Sequence, residues 1–213
     1  MRSQRVRSDG ERSRRAIVEA ASRLATVEGL EGLSIARVAE ASGMSKSGVF
    51  GLFGSKRELQ LAAIDEARRV FVREVVEPAL SHPEGLDRLE ALCGGFLDYV
   101  GGRVFPGGCF FASVAAEVGA RPGPLRDRIR IEQRRWVGLL ADNVSEARVQ
   151  GHLDPDTDSG QLALELGALL TGADVAFLLH EDPAIIDAVR LAIGRRLGAR
   201  SPAPRADHAG LSR

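Results

Sequence analysis

The 213-residue chain is long enough for one large domain, or a small domain joined to a larger one, and can bury a core without staples. Two cysteines, Cys93 and Cys109, cannot build a disulfide framework, and no window approaches eighteen uninterrupted apolar residues; a soluble, reduced, cytoplasmic protein with no membrane partner is expected. The formal charge is +0, but the first 60 residues hold 11 Lys+Arg against 7 Asp+Glu and the remainder 18 against 22, so a basic first third on an acidic body points to a localised anionic partner.

No strand-like alternation persists, and helical periodicity runs through almost the whole chain, which predicts an all-α fold. Residues 1–8 are basic and read as a flexible arm. Ile17, Ala20, Ala21, Leu24 and Ala25 repeat at three and four, giving a first helix that ends at Gly29. Ser34 caps a short second helix with Ile35, Val38 and Ala39 on its apolar face. Gly43 breaks it, and Ser45 opens a third helix that runs to about Phe53. "SKRE", Ser55 to Glu58, is a capping box that starts a long fourth helix carrying Leu59, Ala63, Ile64, Ala67 and Phe71, with Pro78 as its stop. Further helices are expected at Leu86–Val100, Gly107–Val118, Pro124–Val149, Ser159–His180 and Pro183–Leu197, separated by Gly/Pro-rich stretches such as "GGRVFPGG" and "GARPGP". Residues 199–213 are rich in Pro, Ala and Arg and read as a disordered tail.

Helices two and three have helix-turn-helix spacing. Ala39 is small where the pair must touch, and Gly43 follows four residues later where the turn needs a left-handed residue. Met44, Val49 and Phe53 face inward, leaving Ser45, Lys46, Ser47, Gly48, Phe50 and Gly51 outward, a face that suits insertion into a DNA major groove. A glycine inside a helix costs roughly 1 kcal/mol against alanine, so Gly48 and Gly51 are read as a small surface that lets the backbone approach DNA. Ser34 and Ser45 head the two helices, and Lys56 stands beside the amides that open helix four, where a phosphate is favoured. Arg2, Arg5, Arg7, Arg12, Arg14 and Arg15 add candidate backbone or minor-groove contacts.

The stretch "AIVEAASRLATVEGLEGLSIARVAEASGMSKSGVFGLFGSKRELQLAA" resembles the DNA-binding domain of the tetracycline-repressor (TetR) family of transcriptional regulators. The likeness rests on the Ala39–Gly43 turn, the serine opening the recognition helix, the aromatic late in it, and the run Phe53, Ser55, Lys56, Leu59. It implies an N-terminal helix-turn-helix domain (9–55) joined by a long helix to a C-terminal effector-binding and dimerisation bundle (56–198). By the same resemblance the partners are a double-stranded DNA operator, a small apolar effector and a second copy of the chain, paired through the last two long helices. The implied function is a repressor released from a pseudo-palindromic operator, with no catalytic residues, metal or cofactor. The family usually has a tyrosine where Phe50 stands and often a histidine at Leu52, both able to bond phosphates. A helical ligand-binding module with a vestigial helix-turn-helix is the alternative those two residues keep open.

Phe96, Tyr99, Phe105, Phe110, Phe111 and Trp136 fall on helices that would surround the family's effector cavity. Phe96, Tyr99, Phe110, Phe111 and Trp136 are the candidate ligand-binding set, with Tyr99, Trp136 and Glu117 as polar groups to orient a ligand. The plainer reading, that these aromatics only fill the core, stays open for each. Asp154, Asp156, Asp158 and Glu165 take positions 1, 3, 5 and 12 of an EF-hand-like loop, but Ser159 stands where its glycine is required. They read better as a negative cluster favoured by the dipole of the helix that follows. Cys109 reads as a small core thiol.

Overall fold

The computed structural model describes residues 2–198, with side chains from Gly10 onward. Among these residues all regular structure is helical. Helix α1 spans Arg2–Glu28, so the segment expected as a flexible arm is instead the opening of this helix. No proline interrupts it, arginine and glutamine are good helix formers, and extending an existing helix adds one bond per residue fixed. Gly29 ends α1 with φ 82°.

Helices α2 (Ile35–Ser42) and α3 (Lys46–Phe53) are short and capped as their sequence dictates. Ser34 Oγ accepts from the Arg37 amide at 3.1 Å and Ser45 Oγ from the Gly48 amide at 3.0 Å. Each such cap stabilises its helix by about 1 kcal/mol. Gly43 at φ 67° makes the left-handed turn between them, a conformation costly for any residue with a Cβ.

Ser55 caps helix α4 (Lys56–Phe71), its Oγ 3.1 Å from the Glu58 amide. The α-type bonding of α4 ends at Phe71, and the helical run stops at Ala79, one residue after Pro78. It passes through a π-helical turn, Val72–Val76, into a one-turn helix α5, Glu77–Ala79. Pro78 therefore lies inside a continuous helical run, where it cannot donate to the ladder, and the wider π-type bonding, with the Glu77 N–H on the Val72 carbonyl, falls just before it. Helices α6 (Leu86–Gly101), α7 (Phe110–Val118), α8 (Pro124–Val149), α9 (Ser159–His180) and α10 (Pro183–Arg196) complete the bundle. Helix α7 starts three residues later than expected. The Gly107 amide bonds Thr26 Oγ1 at 3.1 Å, and a Cβ on Gly107 would lie 1.9 Å from the Thr26 carbonyl oxygen, so this loop runs too close to α1 to coil.

Helix α4 packs along α1 and also against α8, which makes it the mechanical link between the two halves. Its Leu59, Ala63, Ile64, Ala67 and Phe71, with Val75 of the π-helical turn, belong to one continuous core shared by both. Helix α9 is long and apolar enough, by length and composition, to cross a membrane. Here one of its faces, Leu162, Leu166, Leu170 and Phe177, is instead buried in the bundle on α8, α6 and α10. Its opposite face keeps Leu164, Val175, Leu178 and Leu179 exposed.

Candidate functional site

Two constructions stand out, one at each end of α4. The first is the outward face of the helix pair. Val38, Ala39, Val49 and Phe53 are buried and fix α3 on α2 and α1, while Ser34, Ser45, Lys46, Ser47, Phe50 and Gly51 are exposed together, with Gly48 half-buried. Phe50 is 56% exposed on this face, and its neighbour Leu52 is exposed as well. A Cβ added at Gly51 would meet nothing within 4 Å. Among the described residues no contact explains that glycine, which fits a backbone kept bare for something outside it.

Several of the basic residues are engaged within the fold. Arg14 lies with its guanidinium carbon 4.5 Å from the Phe53 ring centroid and donates to the Leu52 carbonyl at 3.3 Å, so it braces the end of α3 rather than standing free. Arg37 is held by Glu28 and Glu40 at 2.8 Å and 3.1 Å. Lys56, expected beside a phosphate, donates to the main-chain carbonyl of Glu31. An ammonium has three donors, so this bond leaves capacity for an anion. Lys46, Arg12 and Arg15 are exposed, whereas the side chains of Arg2, Arg5 and Arg7 lie outside the described ones.

The second construction is a cavity of about 300 Å³ between α4, α6, α7 and α8. Phe71 is its aromatic hub, edge-on to Trp136 at 5.1 Å, to Phe111 at 6.0 Å and to Phe96 at 6.2 Å between ring centroids. Trp136 and Phe96 stack at 6.0 Å. The small residues Ala112 and Ala115 leave room beside them, and Val72 and Val76 of the π-helical turn form the facing wall. The widened turn thus shapes this wall, a use in keeping with π-bulges at binding sites generally.

Of the five aromatics expected around a ligand, Phe96, Phe111 and Trp136 line the cavity. Tyr99 and Phe110 do not. Both are buried behind it, Tyr99 against Phe71 and Phe105, and Phe110 against Phe105 and Phe111. Burial, and then the neighbouring Cys109, push the Tyr99 hydroxyl well above its ordinary range, and among the described residues the hydroxyl finds no hydrogen-bond partner of normal geometry. Glu117 also faces elsewhere. Its carboxylate accepts from the amides of Leu30 and Glu31 in the loop between α1 and α2.

Sequence reasoning missed Phe71, Arg68 and the polar rim. Arg68, Glu132, Gln133 and Arg135 line the cavity, with the Glu132 side chain 5% exposed and both guanidiniums about half in solvent. A signal existed: Glu132 and Leu139 stand four before and three after Trp136, which puts all three on one face of α8. Cys109 closes the cavity floor as a buried thiol, pushed up to about 12 chiefly by burial and then by nearby Asp174. Asp174 of α9 accepts from the Cys109 amide at 2.8 Å, and burial raises its own carboxyl above the usual range. The acidic run before α9 serves that helix: Asp158 accepts from the Gln161 amide at 2.7 Å, and Glu165 pairs with Arg196 at 2.6 Å.

A short helix pair with a bare outward face, joined by one long helix to a bundle with an aromatic cavity, is also what the comparisons find. Residues 17–63 match the bacterial regulatory proteins of the tetR family, and residues 85–193, more than half of the chain, match the tetracyclin repressor-like C-terminal domain. No curated protein matches the chain significantly. Among solved structures, a TetR transcriptional regulator from Chloroflexus aurantiacus J-10-FL is 26% identical over 90% of this chain and 96% of its own, with a TM-score of 0.79. AibR, solved in complex with isovaleryl coenzyme A and operator DNA, is 23% identical over 86% of this chain and 97% of its own, with a TM-score of 0.69. A putative transcriptional regulator from Saccharomonospora viridis, in complex with choline, is 23% identical over 88% and 96%, with a TM-score of 0.72. At that identity the last two show the fold alone. The chain belongs to the TetR family of DNA-binding transcriptional regulators.

Proposed function

We propose that this regulator is a homodimeric repressor released from a pseudo-palindromic operator by a small molecule held in the cavity. The observation that carries the reading is the shared use of α4 and α7. Phe71 of α4, Val72 and Val76 of the π-helical turn that continues it, and Phe111, Ala112 and Ala115 of α7 wall the cavity. The same two helices grip the loop into α2: Gln60 donates to the Leu30 carbonyl at 2.8 Å, and Glu117 accepts from the Leu30 and Glu31 amides at 2.7 Å and 2.8 Å. A ligand that parts the cavity walls therefore bears on the recognition helices. It acts by preferring the conformation that fits DNA less well, and only by as much as it prefers it.

The exposed apolar stripe of α9, with Leu191 of α10 beside it, supplies the dimer surface. Isologous pairing there sets two recognition helices for successive major grooves, about 34 Å apart. AibR, with its acyl-coenzyme A and operator, and the choline-bound regulator lend the reading precedent on this fold. A protein that reads chromosomal DNA in this way works in the bacterial cytoplasm. Exposed Phe50 and Leu52, where phosphate-bonding residues are usual in the family, are what keep the vestigial alternative in view.

Fluorescence anisotropy of the purified protein against the DNA flanking its own gene, titrated at several salt concentrations beside a scrambled duplex, tests this. An operator reader binds the flanking DNA preferentially and loses affinity steeply with salt. Genome-wide selection of bound fragments that yields no enriched sequence would sink the operator reading in favour of the ligand-binding module.

A further inference from the structure

The cavity has two chemically different ends. Its interior is aromatic and aliphatic, built from Phe71, Phe96, Phe111 and Trp136. Its rim is charged, and the charges do not cancel. Three guanidiniums converge on one buried carboxylate: Arg135 reaches Glu132 at 2.9 Å, Arg68 at 3.2 Å and Arg128 at 3.2 Å. Arg128 is also matched by Asp65. Three cations therefore face two anions, and the surplus positive charge belongs to Arg68 and Arg135, the two that line the opening. Each guanidinium has five N–H donors, so both keep donors in hand after serving Glu132.

We propose that the effector is an anionic amphiphile, an apolar chain or ring bearing a carboxylate, whose tail lies among the rings while its head sits between Arg68 and Arg135. This rests on the cavity being the effector site. A guanidinium pair is suited to a carboxylate, which it bonds through charge-assisted, geometrically matched contacts. A neutral polar head leaves that surplus charge unanswered. A quaternary ammonium would find ring faces to its liking, but Glu132 is already outnumbered by guanidiniums, so the cation would enter a field of its own sign. Glu132 acts as the internal counter-ion that holds the two arginines in place, and the ligand's carboxylate competes with it for their donors.

The chain has one tryptophan, Trp136, and it lines the cavity, so its fluorescence reports occupancy directly. Three probes share one tail and differ in head: octanoate, octan-1-ol and octyltrimethylammonium, each titrated into the full chain. Octanoate is expected to bind at least about tenfold tighter than either of the others, in line with the strength of a charge-assisted bond. Arg68→Gln with Arg135→Gln should collapse that preference and leave the octanol affinity in place. Glu132→Gln, close in shape but uncharged, should raise octanoate affinity by freeing the guanidiniums.

Equal binding of octanoate and octanol overturns the assigned head while the cavity keeps its role. Preference for octyltrimethylammonium overturns it in favour of a cation held by the rings. Silence of Trp136 towards all three, with no shift in melting temperature, overturns the effector cavity as well as the ligand class.

Discussion

The carboxylate of Glu117 accepts hydrogen bonds from the amide of Leu30 at 2.7 Å and from its neighbour Glu31 at 2.8 Å, 87 and 86 residues away in sequence. Leu30 is fully buried, and its carbonyl takes a second bond from Gln60. The turn leading into α2 is thus clasped from α7 on one side and α4 on the other. Glu117→Ala removes a charged acceptor from two amides, at an expected cost of about 1–3 kcal/mol. It should also shrink the factor by which octanoate weakens operator binding, read as operator affinity with and without the ligand. Loss of stability with that factor unchanged would make the clasp a structural tie only.

On the DNA side, position decides the kind of defect. Lys46 and Ser47 sit exposed in the first turn of α3, where base edges come within reach, so Lys46→Ala should alter base preference in a selection from randomised operators. Lys56 sits at the start of α4, so Lys56→Ala should weaken all sequences alike and reduce the slope of affinity against salt by about one ion. Phe50→Tyr adds a hydroxyl on a ring already in solvent and should tighten operator binding without changing stability. Intact affinity and preference after Lys46→Ala would displace α3 from the groove.

The outer face of α9 separates assembly from folding. Leu164 is 60% exposed and Leu179 is 74% exposed, while the core of that helix lies on the other side. Leu164→Glu with Leu179→Glu should therefore leave the helical signal and the octanoate affinity in place while converting the dimer to monomer in light scattering. Operator affinity should fall with it, because one recognition helix loses its partner. A double variant that stays dimeric would move the interface elsewhere.

Most of the fold was legible because its signals are local. Ser34, Ser45, Ser55 and Gly43 fix their helix ends through bonds to residues three or four positions away, and the ranges of α8 and α9 follow from periodicity bounded by Gly and Pro. What escaped depends on distance in sequence. Periodicity marks Phe71 as inward-facing, but only the approach of α6, α7 and α8 makes it the hub of a cavity. Tyr99 and Phe110 are equally inward and end up behind it. The π-helical turn before Pro78 is not legible either, because such a turn has no composition of its own. The role of Glu117 is equally non-local, since no local pattern announces two amides 86 and 87 residues upstream.

The two buried thiols, Cys93 and Cys109, tie stability to pH. Burial pushes both Cys93 and Cys109 up to about 12, from an ordinary value near 9, so each stays protonated in the fold where it would ionise in an open chain. Between about pH 9 and 12 the unfolded state binds fewer protons than the folded one, and stability must fall as pH rises through that window, by about 1.4 kcal/mol per pH unit for each thiol. Below pH 9 both states are protonated and the contribution is flat. Chemical denaturation of the wild type and of a Cys93→Ala, Cys109→Ala double variant across pH 7 to 10.5 isolates the effect, since every other titrating group is common to both. The variant should start less stable, having lost two packed side chains, and the gap should narrow above pH 9. The same burial predicts that neither thiol reacts with a thiol-directed reagent at pH 8 until the chain is unfolded. Rapid labelling of Cys109 in the folded protein, slowed by octanoate, would instead reveal a thiol reachable through the cavity it lines.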